Sequence, residues 1–99
     1  MNRETVLAKL RAHEMELRRS GIVRLSLFGS VARDEAGPGS DVDLLAAFDD
    51  VGKRLSLLDV IAIENAIADM LGSPVDLIEE GTLKPRVHSN VELELIRAF

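Results

Sequence analysis

The stretch Leu27-Phe28-Gly29-Ser30-Val31-Ala32-Arg33, followed by Ser40-Asp41-Val42-Asp43-Leu44, decides how the rest of the chain is read. Val23 to Phe28 alternates Val23, Leu25 and Leu27 with Arg24 and Ser26, the period of a strand with one face in a core, and Gly29 breaks it. Ser30 through Ala36 has room for one or two helical turns with Ser30 as N-cap, before Gly37, Pro38, Gly39 and Ser40 make a loop. From Asp41 to Phe48 the chain extends again. Behind the acids, Leu44, Leu45, Ala46 and Ala47 are apolar on both faces, as in a central strand.

Helical periods surround this segment. From Thr5 to Leu17 the residues Val6, Leu7, Leu10 and Leu17 return at helical spacing, and Gly21 supplies a stop. Ser56 with Asp59 three residues on has the form of a capping box, and Leu57, Val60, Ile63, Ile67, Met70 and Leu71 trace one stripe up to Gly72. Pro74 precedes a third strand, Val75 to Ile78, and Pro85 to Phe99 carries Val91, Leu95, Ile96 and Phe99 at helical intervals. The pattern predicts an α/β (α+β) fold, a small mixed sheet of three to four strands covered by helices, with residues 1–99 forming a single domain.

Composition narrows the function. A formal charge of -5 and a pI near 4.9 oppose binding to a phosphate backbone, and with Phe28, Phe48 and Phe99 as the only aromatics there is no Trp or Tyr on which bases stack. Direct nucleic-acid binding is therefore not expected. Cysteine is absent, which removes disulfides and thiolate metal sites. No apolar run approaches the roughly 20 residues that span a bilayer, so the expectation is a soluble, cytoplasmic protein with no membrane contact.

The chemistry lies in three acids. Strand side chains two apart point to the same side, so Asp41 and Asp43 face one way with Cα atoms roughly 6 to 7 Å apart. On the third strand Val75 and Leu77 fill the core, which turns Asp76 to the other face, where it joins the pair if the strands are neighbours. Carboxylates gathered in this way raise one another's pKa values and call for a compensating cation, and their hard oxygens suit Mg²⁺ or Mn²⁺. Gly29 and Ser30, where a strand turns into a short helix, offer backbone N–H groups and a hydroxyl to an anion such as the β,γ-phosphates of a nucleoside triphosphate. Arg33, about one helical turn further on, can contact phosphate or pair with an acid; phosphate contact is the preferred reading.

Taken separately, Gly-Ser after a strand is usually a capped turn, and acids two apart are usually exposed strand-end charges. Their combination resembles the signature of the DNA polymerase β-like nucleotidyltransferases. In its short form, with no appended domain, the chain is similar to the minimal nucleotidyltransferases, the MNT-domain or MntA-like antitoxins. The resemblance implies Gly29 and Ser30 on the triphosphate, Asp41 and Asp43 on two Mg²⁺ ions, and Asp76 as third ligand or as base near the acceptor hydroxyl. It also implies transfer of AMP from ATP to a tyrosine of a small helical HEPN-type toxin, which could complete the pocket; a homo- or a hetero-oligomer is open on this reading. Members often carry Gly after the Arg, where this chain has Asp34, an extra acid expected to weaken phosphate binding slightly.

Two other readings compete: an antitoxin that neutralises its partner by masking it without chemistry, and a transferase acting on a small molecule such as an aminoglycoside. The second suffers from length, since little chain is left to hold a drug. His13 and His88 are expected in surface or packing roles, Lys84, Arg86 and Arg97 on a solvated helix face, and Glu79 and Glu80 as ordinary strand-end acids. The apolar tail through Leu93, Leu95, Ile96 and Phe99 is expected to pack on the core in preference to forming an interface.

Overall fold

The computed structural model describes residues 2–35, 37, 39–49, 55–80 and 95–99. Along the chain run α1 (Arg3–Ala12), α2 (Glu14–Arg19), β1 (Ile22–Phe28), α3 (Gly29–Ala32), β2 (Val42–Phe48), α4 (Leu57–Leu71), β3 (Val75–Glu79) and β4 (Ile96–Arg97). The strands form one mixed sheet in the order β3-β2-β1-β4. β1 pairs antiparallel with β2 and β4, whereas β2 pairs parallel with β3, and α4 supplies the crossover that a parallel pair requires.

Alternation assigns the two faces of the sheet. Leu25 and Leu27 of β1 lie opposite Ala46 and Leu44 of β2, and with Val42, Phe48 and Leu77 they meet Val6, Leu7, Leu10, Leu17, Ile67 and Leu71 from the helices. Removing each of these aliphatic side chains from water contributes about 1.5 to 3 kcal/mol, so a core without Trp or Tyr still holds the fold. The opposite face carries Phe28, Asp43, Leu45, Asp76 and Ile78, set side by side by the register. Leu45 is as buried as the residues of the helical core, which makes β2 apolar on both sides, as its sequence predicts.

Local signals explain the element ends. Ser56 accepts from the Asp59 amide while the Asp59 carboxylate accepts from that of Ser56, completing the capping box of α4, and Gly72 closes the helix in the left-handed conformation at φ 68°. At the sheet edge, Glu64 reaches from α4 to accept a hydrogen bond from the Leu77 amide at 2.8 Å.

Four expectations are corrected. The helix predicted from Thr5 to Leu17 is two, hinged at His13, because no side chain from Arg11 to Met15 is buried to hold that turn on the core, Met15 being exposed, and the chain re-aims Leu17 inward. Val23 points outward, since a register shift between Ile22 and Arg24 puts Ile22 in the core instead. Leu57 is 75% exposed, one turn beyond the point where the α4 stripe meets the sheet.

The fourth concerns the tail. Ile96–Arg97 is a strand on the free edge of β1, not part of a helix, while residues 81–94, with Lys84, Arg86, His88, Val91 and Leu93, lie outside the described residues. Arg11 donates to the carbonyls of Ala98 and Arg97 at 2.9 and 3.2 Å, and the Arg18 guanidinium stands 4.9 Å from the centre of the buried Phe99 ring. Packing of Phe99 on the core is as expected. Phe99→Ala should cost about 3 kcal/mol through the cavity it leaves, read as a lower urea midpoint at unchanged slope; a loss below about 1 kcal/mol would remove β4 from the stability of the fold.

Candidate active site

The acids meet where β1 turns into α3. Parallel register pairs Asp43 with Asp76, and antiparallel register sets Asp43 against Phe28, the residue before Gly29. Paired residues of neighbouring strands share a face at a strand spacing of about 4.8 Å, so Asp43 and Asp76 stand side by side, with Asp41 just ahead of β2. Asp41 and Asp76 are exposed and Asp43 is half-buried. Burial raises the Asp43 pKa above its ordinary value, the negative charges of Asp76 and then Asp41 add to the rise, and Arg33 opposes it. Asp43 therefore feels the charges of all three.

Among the described residues no three His, Asp or Glu side chains are drawn into a closed metal-binding group. The donors of the acid cluster are nevertheless all hard oxygens, and its central member is a carboxylate whose charge is penalised where it sits, a combination that a divalent cation relieves.

Gly29 bridges acids and turn. It adopts φ 77°, and a Cβ placed there would come within 3.1 Å of Asp43 Cγ and 3.3 Å of Asp43 Cβ, closer still to a carboxylate oxygen. Only glycine allows the turn and the Asp43 side chain to share this space. The N-cap of α3 is Phe28 and not Ser30, which is the second helical residue, because the chain turns two residues earlier than a serine cap would place it. The helix spans four residues in place of the predicted run to Ala36; Ala36 lies outside the described residues. The N–H groups of Gly29, Ser30 and Val31 have no intrahelical carbonyl to bond. Arg33 pairs with Glu35 at 2.9 Å on an exposed surface, an interaction weak enough to exchange for a stronger anion.

Residues left out of the site sit elsewhere. Glu80 forms a two-pronged ion pair with Arg24, and His13 lies 3.4 Å from Glu16 at the helix hinge. Asp34, the extra acid after Arg33, is engaged by Arg3. Sequence reasoning had no signal for the contact between Gly29 and Asp43, which depends on the register of two strands.

β1 thus runs into a Gly-Ser turn beside an Asp-X-Asp strand, with a third acid on the parallel neighbour of that strand. The chain belongs to the nucleotidyltransferase domain family, whose sequence model matches residues 10–98. It is 37% identical over 94 residues to the protein adenylyltransferase MntA of Thermococcus cleftensis, covering 94% of this chain and 92% of that one. It is similar to a solved structure described as a minimal nucleotidyltransferase, with a TM-score of 0.81 and 41% identity over 97% of this chain and 95% of the other. The fold also matches, with a TM-score of 0.68 at 18% identity over 94% of this chain and 71% of the other, a complex of a tri-AMPylated HEPN toxin with its MNT antitoxin from Shewanella oneidensis. Among the described residues no helix is long and apolar enough to cross a membrane.

Proposed function

We propose that this protein is a Mg²⁺-dependent adenylyltransferase that moves AMP from ATP to a tyrosine hydroxyl of a HEPN-type toxin and so acts as its antitoxin. The observation that carries the reading is the register that sets Asp76 beside Asp43 and Asp43 against the Gly29-Ser30 turn. The N–H groups of that turn and the Ser30 hydroxyl bind the β- and γ-phosphates, and Arg33 leaves Glu35 to add a charged contact. Asp41, Asp43 and Asp76 would hold the metal, which when bound neutralises triphosphate charge and lowers the barrier to attack. Asp76, exposed at the rim, faces the side from which an acceptor enters and orients its hydroxyl in line with the bond to pyrophosphate. The tyrosine oxygen attacks the α-phosphorus as its proton passes to Asp76 or to solvent, the new P–O bond forms as the bond from the α-phosphorus to the bridging oxygen breaks, and pyrophosphate leaves.

Support for the partner comes from the names of relatives: a 37%-identical protein is a protein adenylyltransferase, and a fold neighbour was solved on an AMPylated HEPN toxin. Incubation with a HEPN-type partner, ATP and Mg²⁺ should add the mass of one or more AMP groups to the partner, read by intact mass spectrometry. The gain should vanish with Asp41→Asn while the complex still forms. A tight complex in which neither protein gains mass would replace this reading with a masking antitoxin.

A further inference from the structure

The short helix α3 carries the phosphate-binding turn of the proposed reaction, yet four residues cannot hold a helix in place by their own hydrogen bonds. Its end is closed completely. The Gly29 carbonyl accepts from the Arg33 amide at 3.2 Å, that of Ser30 from the Glu35 amide at 2.8 Å, and that of Val31 from the Asp34 amide at 3.0 Å. The last two bonds form a Schellman cap, and its left-handed residue is Asp34 at φ 57°, the one non-glycine residue with positive φ among those described. The remaining carbonyl, Ala32, accepts from the Arg3 guanidinium at 3.1 Å.

Asp34 returns the contact. Its Oδ1 accepts from the Arg3 backbone amide at 3.0 Å, filling a free donor in the first turn of α1, and its Oδ2 lies 3.7 Å from the Arg3 guanidinium. Helix α1 is in turn anchored in the core through Val6, Leu7 and Leu10. One aspartate therefore caps two helices, and one arginine closes the loop between them.

We infer that Asp34 and Arg3 are positioning residues for the nucleotide, tying the cap of α3 to the core-anchored α1 so that the N–H groups of Gly29, Ser30 and Val31 stay aimed at the phosphates. This role rests on the reading of that turn as the triphosphate site. Glycine suits the left-handed cap without strain but carries no tie, whereas asparagine keeps the acceptor and tolerates the conformation.

The test measures ATP affinity by calorimetry with Mg²⁺, together with KM and kcat for transfer and the melting temperature, in Asp34→Gly, Asp34→Asn and Arg3→Met. Asp34→Gly and Arg3→Met should each raise the Kd and KM for ATP about 5-fold with kcat within about 2-fold, the pattern of weakened ground-state binding, and Asp34→Asn should stay near wild type. Wild-type Kd in both Asp34→Gly and Arg3→Met would overturn the role. So would losses that follow the melting temperature alone, with kcat falling at constant KM, or Asp34→Asn as impaired as Asp34→Gly. Wild-type protein that binds no ATP would overturn the functional reading and this role with it, an outcome distinct from wild-type binding that the variants leave unchanged.

Discussion

Asp43→Asn is expected to abolish nucleotidyl transfer, with a loss on the order of 1000-fold or more in kcat, while the protein melts at or above the wild-type temperature at pH 7. Both effects have one source. Asp43 is half-buried between Asp76 and Asp41, so its charged form is held at a cost, and its folded pKa lies above the ordinary 3.8. A carboxyl with a raised folded pKa binds its proton more tightly in the native state. Its contribution to stability is full below the unfolded pKa and is lost as pH rises through the folded one. At neutral pH wild-type protein carries the repulsion and the Asn variant does not. The difference in melting temperature should be positive at pH 7 and shrink toward pH 4, as scanning calorimetry can follow, and Mg²⁺ should raise the melting temperature of wild type more than that of the variant. Near-normal transfer by Asp43→Asn would remove Asp43 from the reaction.

Gly29→Ala should combine a stability loss of about 1 to 3 kcal/mol with a fall in activity of about 100-fold. The new methyl meets two obstacles, a left-handed backbone at φ 77° and the Asp43 side chain already in its place. One is strain, which weakens the fold; the other pushes aside the central carboxylate, which weakens the chemistry. Gly72→Ala separates them. Gly72 is also left-handed, at φ 68°, but nothing lies within 4 Å of a Cβ there, so that variant should lose stability and keep its turnover per folded molecule. Urea titration alongside transfer assays reads both, and equal losses of activity in the two variants would deny the contact between Gly29 and Asp43 any part in the reaction.

The parts of this fold legible in the sequence are those whose cause is local. The capping box at Ser56 and Asp59, the glycine stop at Gly72 and the doubly apolar run of β2 each declare themselves within a few residues. The tail does not, because Leu95, Ile96 and Phe99 fit a helical period, yet Ile96 and Arg97 are drafted into a strand by the unfilled edge of β1, some seventy residues earlier in the chain. The site divides in the same way. Gly29, Ser30, Asp41 and Asp43 stand out by type and spacing, and alternation along the third strand was enough to send Asp76 to their side of the sheet. That Asp43 rests on Gly29, and that Asp34 binds Arg3, depends on strand register and on a cap shared by two helices.

The hydrogen bond from the Leu77 amide to Glu64 bears on how this molecule keeps company. An outer strand with open amides invites any extended peptide to lengthen the sheet, whether a legitimate binder or a misfolded sibling. At β3 that invitation is withdrawn halfway along, because the amide an incoming strand would need is occupied by a side chain from the molecule's own helix. A strand arriving at this margin therefore finds one donor fewer than an open edge would offer. Asp76, one residue away, stays exposed on the face of the sheet.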